Sequence, residues 1–450
     1  MRAAVAAGHP ATAEAGIEIL AEGGTAADAA VAAALASCVA ETVMTGVLGG
    51  GHAIVWDGQR ARNLDCFVGV PSGSGGEMVD LAVPFGEETV HYAVGPASCG
   101  VPGLPAGLDA LWREHGRLPW VRLVEPALRL ARAGTELPAR HAACLAMLEP
   151  VMTLNRGAAL YSPGARLLQA GERLRQPGLV EALELVAAEG AGSVYRGSIA
   201  EKLLAEPGVV MTAGDLAAYE ARWVEVVELA YAGTRFLTRS GLSGVPELLT
   251  RLPRLTGLSA TERVLALVDV LDDAGADGHT TNLCVCDGEG RAVVLTSSLG
   301  LGSGDFLPGL DLHLNSMLGE KDLLVGALEP GERMQSMMAP SLAVDSDGLA
   351  LGIGSAGGTR LRTALCTVAA GVLDERLAPQ EAVDRPRFHP AGGTINAEPG
   401  VDEDALRKLE ARGRAVRRWP DLHHYFGGTS LVSRRGAAAD PRRDGLALEL

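Results

Sequence analysis

The sequence predicts an α+β fold in which helices enclose β-sheet. Helical periodicity dominates the first half of the chain, alternating strands with Asp-Gly turns dominate the last third, and no internal repeat is present. The chain has 450 residues, of which 47% are hydrophobic, so it can bury a large core. This length predicts two or three domains or one large layered domain.

Charge and targeting signals exclude several classes of partner. The chain carries 39 basic and 55 acidic residues, a net charge of −16, which argues against binding to nucleic acid or to an acidic membrane surface. His9, Pro10, Thr12 and Glu14 interrupt the apolar N-terminus, and the Ala-rich segment 26–43 lacks the bulky residues of a membrane span. We therefore expect a small-molecule substrate and a cytoplasmic location.

The first sixty residues predict helix, helix, glycine loop and strand. A helix over 11–21 ends at a Gly-Gly pair, and Thr25 with Asp28 three residues later resembles a capping box that starts a second helix. The glycine loop "GVLGGG" (46–51) precedes "HAIVW", which predicts a strand closed by an Asp-Gly turn.

The middle of the chain is mainly helical. Residues 72–101 have the composition of a loop, and helical periodicity dominates 104–205. Residues 240–278 predict a linker, one helix and an acidic, glycine-rich exposed loop.

After Thr280 the pattern changes to strands. The segments "NLCVCD", "AVVLTSS", "LDLHLN" and "SLAVDSDGLALGIG" predict strands, the last of them a hairpin. A helix over 360–375 follows, and the C-terminal part returns to short strands.

Seven cysteines are scattered along the chain, and none predicts a disulfide or a metal site. Cys284 and Cys286 are one residue apart, a spacing that suits neither a zinc knuckle nor a redox pair, and on a strand both would share one buried face. His389, His423 and His424 lack a carboxylate at a recognised ligand spacing. No metal and no cofactor are expected.

The segment "GIGSAGGTR" matches G-x-G-x-x-G through Gly352, Gly354 and Gly357, with Asp374 and Glu375 further along. A dinucleotide-binding fold needs βαβ units around this motif, and the residues before it predict a hairpin instead of a parallel crossover. A nucleotide-dependent oxidoreductase is therefore the weaker interpretation.

A family resemblance rests on several motifs in one order. They are "AEAGIEILAEGGTAADAAVAAALA…GVLGGGHAIVW", "VPGLPAGLDALWREHGRLPW", "VMTAGDLAAYEA", "TTNLCVCDGEGRAVVLTSSLG", "MMAPSL", "GSAGGTR" and "DRPRFH". Together they resemble the gamma-glutamyltranspeptidase family of N-terminal-nucleophile hydrolases over nearly the whole chain.

The resemblance implies a four-layer αββα sandwich and a precursor that cuts itself between His279 and Thr280. Residues 1–279 would form the large subunit region and residues 280–450 the small one, and both fragments would stay associated in one compact fold. Thr280 would then be a new N-terminus.

The implied chemistry is that of a threonine hydrolase. The Thr280 hydroxyl would be the nucleophile and its own α-amine the base, since an α-amine with a pKa of about 7.7–8.0 can act near neutral pH. In the family, the positions of Thr281 and Ser298 orient the nucleophile, and the pair Gly357-Gly358 presents N–H groups as an oxyanion hole.

The donor pocket departs from the family pattern. The family's "FRE" reads Cys66-Phe67-Val68, an ungapped placement puts Gly76 at the arginine position, and an asparagine becomes Gly300. The Ser-Ser pair becomes Ser336-Met337. The polar residues that remain, and that we expect to bind substrate, are Asn315, Ser336 and Glu320. Conceivable new anchors for an acidic substrate are Arg62, His91, His313 and Arg333.

These observations favour a hydrolase or acyltransferase whose acyl group is not an ordinary γ-glutamyl group. One alternative is a carbon–carbon bond hydrolase, like the branch of the family that acts in 4-alkylproline biosynthesis. Another is an unprocessed relative that binds a ligand without turnover, for which the altered pocket and the shortened "RSGLSGVPEL" segment would speak.

Overall fold

The computed structural model describes residues 1–85, 88–271, 280–358 and 360–450. The expected exposed loop that ends at residue 278, and His279 with the bond that follows it, lie outside the described residues.

The helices fall into a large N-terminal group and a smaller C-terminal group. They are α1 (Pro10–Ala21), α2 (Ala26–Ala40), α3 (Leu104–His115), α4 (Trp120–Ala133), α5 (Ala139–Met147), α6 (Glu149–Met152), α7 (Gly157–Tyr161), α8 (Pro177–Glu189), α9 (Gly192–Tyr195), α10 (Ser198–Ala205), α11 (Ala213–Ala218), α12 (Val245–Arg251), α13 (Ala260–Leu271), α14 (Arg360–Leu373), α15 (Pro379–Asp384) and α16 (Glu403–Ala411). Short 3₁₀ turns cover Pro96–Ser98, Pro163–Ala165, Met317–Gly319, Lys321–Leu323, His424–Phe426 and Pro441–Arg443.

The strands come from both ends of the chain. They are β1 (Ala4–Ala7), β2 (Gly50–Trp56), β3 (Ala61–Cys66), β4 (Val79–Phe85), β5 (Glu88–Val94), β6 (Thr135–Glu136), β7 (Arg173–Leu174), β8 (Arg222–Val224), β9 (Val227–Tyr231), β10 (Thr234–Thr238), β11 (Thr281–Cys286), β12 (Ala292–Ser298), β13 (Ser341–Asp345), β14 (Gly348–Ala356), β15 (Phe388–Ala391), β16 (Thr394–Ala397), β17 (Ala415–Arg418), β18 (Gly428–Ser433), β19 (Gly436–Ala439) and β20 (Leu446–Glu449).

Two sheets stack face to face between two layers of helix. The seven-stranded sheet has the order β20-β1-β11-β12-β2-β3-β8, and the six-stranded sheet has the order β19-β18-β14-β13-β10-β9. Helices α1 and α2 pack on the outer face of the first sheet, and α14 packs on the outer face of the second. The predicted four-layer αββα sandwich is confirmed, and each large sheet contains strands from both sides of residue 280.

Three apolar clusters hold the layers together. One joins α2, α3, α4 and α8 to the seven-stranded sheet, and a second joins α13, α14 and α16 to the six-stranded sheet. The third fills the space between the sheets and includes Cys284, Cys286, Ile54, Leu342 and Val432. Burial of this kind contributes about 25 cal/mol per Å² of apolar surface, so the inter-sheet cluster is a main source of stability. The two cysteines share one buried face, as predicted, and burial raises the pKa of both thiols to about 12.

Helix α2 begins and packs as its sequence predicts. The Thr25 hydroxyl accepts a hydrogen bond from the Asp28 N–H, and the Asp28 carboxylate accepts one from the Thr25 N–H. Every residue of α2 is buried, which explains its alanine content: small side chains let the helix lie close to α1, α4 and the sheet. Among the described residues, no helix has the length and apolar character needed to cross a bilayer.

Three expectations about secondary structure were wrong. Residues 72–101 contain the hairpin β4–β5, and the segment predicted as a linker contains α12 before α13. The segment "LDLHLN" is an irregular loop, because Asp311 has φ 49° and the backbone of Leu312 and Leu314 bonds locally to residues 303–307. Alternating apolar residues here fill the core without forming a ladder.

The glycines of the G-x-G-x-x-G match serve sheet packing. Residues 341–356 form an antiparallel hairpin, so the motif lacks the parallel crossover of a dinucleotide fold. A Cβ on Gly354 would collide with the Asn282 side chain of the facing sheet, and one on Gly352 would lie 3.2 Å from Val294. Both glycines therefore permit close approach of the two sheets.

Candidate active site

Thr280 directly precedes strand β11 and is 4% exposed. It borders a small cavity of about 30 Å³. The cavity is lined by Phe67, Thr280, Ser298, Met317, Glu320, Leu323, Ser336, Met337, Met338, Gly358 and Leu361. Four residues singled out from the sequence therefore surround Thr280 here: Ser298, Gly358, Glu320 and Ser336.

Ser298 is brought to Thr280 by the register of the hairpin β11–β12. Thr281 pairs with Ser297, so the next position along the ladder places Ser298 opposite Thr280. Ser298 is 2% exposed, and its Oγ accepts a hydrogen bond of 2.8 Å from the Gly300 N–H. The hydroxyl is thus fixed at the edge of the cavity.

Thr281 is held by a buried carboxylate that the sequence analysis did not assign to the site. Its hydroxyl donates to Glu41 Oε2, and the Thr12 hydroxyl donates to Glu41 Oε1 at 2.7 Å. Glu41 is 1% exposed, and a Cβ on Gly8 would lie 2.9 Å from its Oε2. The carboxylate therefore ties helix α1 and the end of α2 to the residue that follows Thr280.

Further buried hydrogen bonds fix the hairpin. The hydroxyls of Thr45 and Ser297 lie 2.9 Å apart, and the Thr296 hydroxyl donates to the Asn282 side-chain oxygen at 2.9 Å. Buried polar groups that are fully paired hold one geometry, because a lost partner leaves the other group desolvated without a hydrogen bond.

Gly357 and Gly358 connect β14 to α14, with φ of 125° and 58°. Their carbonyls accept hydrogen bonds from the N–H groups of Arg360 and Leu361 in the first turn of the helix. A Cβ on Gly357 would lie 3.0 Å from the Gly427 Cα, so both the conformation and the space favour glycine. A glycine pair between a strand and a helix N-terminus is an arrangement that can direct backbone N–H groups at a developing negative charge.

Glu320 and Gly300 fit together. Gly300 has φ 71°, and a Cβ on it would collide with Glu320 Oε1 and lie 2.6 Å from the Ser316 hydroxyl. The glycine at the expected asparagine position is what leaves room for the Glu320 carboxyl. The absence of a side chain at residue 300 and the position of the Glu320 carboxyl therefore depend on each other.

The Glu320 carboxyl is an uncharged group at neutral pH. It is 3% exposed, and its Oε1 has no hydrogen-bond partner among the described residues. Burial and the negative charge of Asp322 raise its pKa to about 8. This carboxyl can donate a hydrogen bond to a ligand, and it does not act as a permanent anion.

Ser336 and the methionines after it form a wall that Arg239 supports. Arg239 Nη1 donates to the carbonyls of Ser336 at 3.0 Å and Met338 at 2.8 Å, and burial lowers its pKa to about 10. The Ser336 hydroxyl accepts from the Met338 N–H at 3.2 Å. The Ser336 side chain thus bonds its own loop while it borders the cavity with Met337.

Phe67 faces the cavity where the resemblance places the middle of the "FRE" triplet. Its ring stacks on the His52 ring, with centroids 5.6 Å apart and planes inclined by 17°. Gly76, the ungapped placement of the arginine, lies in a separate groove. The wall at this point is therefore an aromatic ring.

Asn315 is expected to bind substrate, but the structure places it outside the cavity lining. Its side-chain nitrogen donates to the carbonyls of Leu48 and Gly100, both at 2.9 Å, and its oxygen accepts from the Gly100 N–H at 3.0 Å. The amide is fully used in joining two loops behind the site.

The four conceivable anchors for an acidic substrate also lie outside the cavity lining. Arg62 pairs with Glu114, His91 is exposed on β5, and Arg333 donates to the Glu220 carbonyl. His313 stacks on Phe306 with centroids 4.2 Å apart, and burial lowers its pKa to about 3. None of these four residues therefore offers a positive charge to a substrate carboxylate in this cavity.

Sequence reasoning missed Glu41, Phe67 and Arg239 as site residues. Glu41 was visible only as a charge in an apolar helix, a signal that a buried partner was needed. Phe67 was aligned with the middle of the "FRE" triplet, but the arginine position was given to Gly76, so Phe67 was not assigned to the site. Nothing in the sequence near Arg239 indicated its contact with residues 336–338, because this contact depends on the pairing of distant strands.

Comparison with known proteins agrees with the geometry. The family model described as Gamma-glutamyltranspeptidase matches residues 12–266 and 260–450. The chain belongs to the gamma-glutamyltranspeptidase family. Among curated relatives, the Acylase ACY 1 proenzyme of Pseudomonas sp. (strain SE83) is 27% identical over 96% of this chain and 90% of its own length. Glutathione hydrolase 3 of Arabidopsis thaliana is 25% identical over 92% of this chain and 78% of its own length.

Solved structures of the family share the fold. Cephalosporin acylase from Bacillus halodurans superposes with a TM-score of 0.86 at 24% identity, covering 99% of this chain and 95% of that one. The structure of LmbA2991HD superposes with a TM-score of 0.83 at 22% identity, covering 99% and 98%. This member of the gamma-glutamyltranspeptidase family is therefore an enzyme with the fold of the N-terminal-nucleophile hydrolases.

Proposed function

We propose that the chain cleaves itself between His279 and Thr280 and then hydrolyses or transfers an acyl group, other than γ-glutamyl, from an amide. One observation carries this proposal: Thr280, Ser298 and Gly358 meet in a cavity whose remaining wall is mostly apolar. The two fragments would remain associated, because strands from both build each large sheet.

Self-cleavage would begin with attack of the Thr280 hydroxyl on the carbonyl of His279. The acyl group moves from nitrogen to oxygen, forming an ester and freeing the α-amine, and water then hydrolyses the ester. In the uncut chain this nitrogen belongs to an amide, so the base does not exist before cleavage.

In the mature enzyme the freed α-amine accepts the proton of the Thr280 hydroxyl as the oxygen attacks the substrate carbonyl. The carbonyl oxygen gains negative charge and receives hydrogen bonds from the Gly357-Gly358 turn. The substrate amine leaves with the proton, and water or a second amine resolves the acyl-enzyme. Removing one oxyanion donor typically lowers the rate by about a hundred to a thousand fold.

The wall argues against an ordinary γ-glutamyl donor. A γ-glutamyl group carries an α-carboxylate and an α-ammonium, and Phe67 and Met337 offer neither a positive charge nor a hydrogen bond to the carboxylate. Burying a charged group without a partner costs roughly 2–5 kcal/mol. Glu320, uncharged at neutral pH, is also a weak partner for an ammonium.

The names of the relatives support amide hydrolysis with varied acyl groups. They include an acylase proenzyme and glutathione hydrolases. A protein of the first kind takes an acyl group off an amine, which is the reaction that the uncharged wall here would favour.

The test is the denatured mass of freshly purified wild-type protein, with Thr280→Ala and Thr280→Ser alongside. We expect two fragments that meet at His279/Thr280 in the wild type, the same fragments formed more slowly in the serine variant, and one intact chain in the alanine variant. An intact wild-type chain after prolonged incubation would favour a binding protein without turnover. Product analysis separates amide hydrolysis from carbon–carbon bond hydrolysis.

A further inference from the structure

A second, larger cavity lies beside the catalytic one. This groove, which we call the lateral groove, has a volume of about 430 Å³, within the range of pockets that bury small-molecule ligands. It is lined by Val70, Pro71, Ser72, Gly73, Ser74, Gly75, Gly76, Met78, Ala97, Val210, Leu318, Leu324, Leu328 and Pro330. None of these side chains carries a charge.

Two lining residues of the lateral groove are exposed apolar side chains, and each has an exposed apolar neighbour in the sequence. Met78 and Leu324 are 40% and 38% exposed, and their neighbours Val79 and Val325 are 59% and 52% exposed. Exposed apolar side chains that cluster at one place on a protein mark a binding surface more often than scattered ones do.

One wall separates the lateral groove from the catalytic cavity. Within residues 317–324, Met317, Glu320 and Leu323 face the catalytic cavity, whereas Leu318 and Leu324 face the groove. In the segment after β3, Phe67 likewise lines the catalytic cavity and Val70 lines the groove. All the apolar members of this wall except Leu324 belong to one cluster with Met334, Met337 and Met338.

This wall is built from side chains that can rearrange. Methionine is unbranched and fills irregular spaces in more than one rotamer. The catalytic cavity is small, about 30 Å³, so a long acyl group bound to Thr280 would extend past it and displace part of its lining. On the side of the lateral groove, the displaced atoms are apolar and open space lies directly behind them.

We propose that the lateral groove binds the acyl chain of the substrate, and that this chain is extended, apolar and uncharged, such as a medium-length alkanoyl group. This inference rests on the proposed amide-hydrolase function. The acyl side is favoured over the amine side because the wall residues Met337 and Phe67 occupy positions of the rewritten donor pocket. An uncharged Glu320 carboxyl would lie beside such a chain without leaving a buried negative charge.

The test uses two homologous series of amides and the self-cleaved enzyme. The first series joins acetyl to decanoyl groups to one chromogenic amine, and the second joins an acetyl group to linear amines of the same lengths. We expect kcat/KM to rise about 2–4-fold per CH₂ in the acyl series until the groove is filled, and to stay flat in the amine series. A rise in the amine series alone would assign the groove to the leaving group.

Two substitutions locate the effect. Met78→Asp and Leu324→Asp place a charge at exposed lining positions, where the fold tolerates it, and both should flatten the chain-length dependence. Val121→Asp, at a 54% exposed residue of α4 that lines neither cavity, is the matched control and should keep the wild-type dependence. An equal effect of all three variants would overturn the assignment.

Binding without turnover separates this inference from the proposed function. Decanamide and acetamide are titrated calorimetrically into Thr280→Ala, which cannot react. Tighter binding of decanamide, abolished by Leu324→Asp, supports the groove even if no amide is hydrolysed, whereas equal binding contradicts it. A wild-type dimer that Leu324→Asp dissociates would show that a second copy of the chain occupies the groove.

Discussion

The two sides of the hairpin β11–β12 differ in how they are built. Behind Thr280, the buried side chains are polar and paired, as in the contacts of Glu41 with Thr12 and Thr281. In front of it, the cavity is lined mainly by apolar side chains such as Phe67 and Met337. A paired polar group cannot change alone, because its partner would be left buried without a hydrogen bond, whereas an apolar wall exchanges residues at a smaller cost.

This difference predicts which residues of the site can be substituted independently of one another. The residues that fix strand β11 form hydrogen bonds with distant segments. A substitution of one of them would leave its partner buried without a hydrogen bond. The wall residues border the cavity and contact one another, so a change in one of them leaves no buried polar partner unpaired. Gly300 and Glu320 are an exception on the cavity side, because a side chain at residue 300 would collide with the Glu320 carboxyl.

The largest effect is expected from removing the Glu41 carboxylate, which accepts hydrogen bonds from Thr12 and Thr281. Glu41→Ala would leave the hydroxyls of Thr12 and Thr281 buried without an acceptor, which should destabilise the fold by about 3 kcal/mol. We also expect slower self-cleavage, since Thr281 adjoins Thr280. Urea unfolding in the single-chain Thr280→Ala background gives the stability, and the denatured mass over time gives the cleavage rate.

The control for this change is Glu14→Ala, at an exposed residue of α1. It should alter stability by less than about 0.5 kcal/mol. Glu41→Gln should fall between, because its amide oxygen can still accept one of the two hydroxyls. Equal stability of Glu41→Ala and Glu14→Ala would mean that the network does not hold the hairpin.

A second substitution tests whether Gly300 and Glu320 act as a pair. Asparagine tolerates the left-handed conformation, so Gly300→Asn fails mainly by displacing the Glu320 carboxyl from the cavity. We expect kcat/KM for the best amide substrate to fall by about 10–100-fold, the size of effect that a misplaced group near the reaction produces.

The matched control is Gly164→Asn, because Gly164 has φ 69° and open space around its Cα. Its kcat/KM should match the wild type. Shortening the carboxyl in Gly300→Asn/Glu320→Asp should restore part of the loss, and a double-mutant cycle measures the coupling. Strictly additive effects would show that the two residues do not share one space.

Much of the fold could be predicted from the sequence, because it depends on local patterns. The capping pair Thr25 and Asp28, the hairpin over 341–356 and the helix after Gly358 all lie within short stretches. The position of Ser298 beside Thr280 likewise follows from a short hairpin. The candidate site residues Ser298 and Gly358 lie on such local elements, so the strand or turn around each could be predicted with it.

The remaining site residues depend on contacts between distant segments. From its motif, Asn315 was expected to bind substrate. Its side-chain nitrogen instead donates to the carbonyls of Leu48 and Gly100, which no local sequence pattern places near it. The role of Phe67 depends on how β3 ends beside the 317–338 segment. The sequence also gives no measure of burial, so the raised pKa of Glu320 could not be predicted from it.

The smallest effect we expect is a pH dependence of kcat/KM that is caused by Glu320 in the cavity wall. For an uncharged acyl group, kcat/KM should pass through a maximum near pH 8 and fall on the alkaline side as Glu320 ionises through its pKa of about 8. The rise through the pKa of the Thr280 α-amine, about 7.7–8.0 in an unperturbed amine, should remain on the acid side. Glu320→Gln should lose only the alkaline fall, and stopped-flow or progress-curve rates across pH 6–10 measure both limbs.

The same ionisation gives a stability effect of known sign. The pKa of Glu320 is raised in the folded state, so the unfolded chain ionises first, and the folded protein loses stability as pH rises from about 4.5 to about 8. Glu320→Gln lacks this loss, so its unfolding free energy relative to the wild type should increase across that window and level off above it. The same measurement on Glu14→Gln, at an exposed residue of α1, is the control. An alkaline limb that persists in Glu320→Gln, together with a flat stability difference, would place the titrating group elsewhere and leave the apolar wall without its uncharged carboxyl.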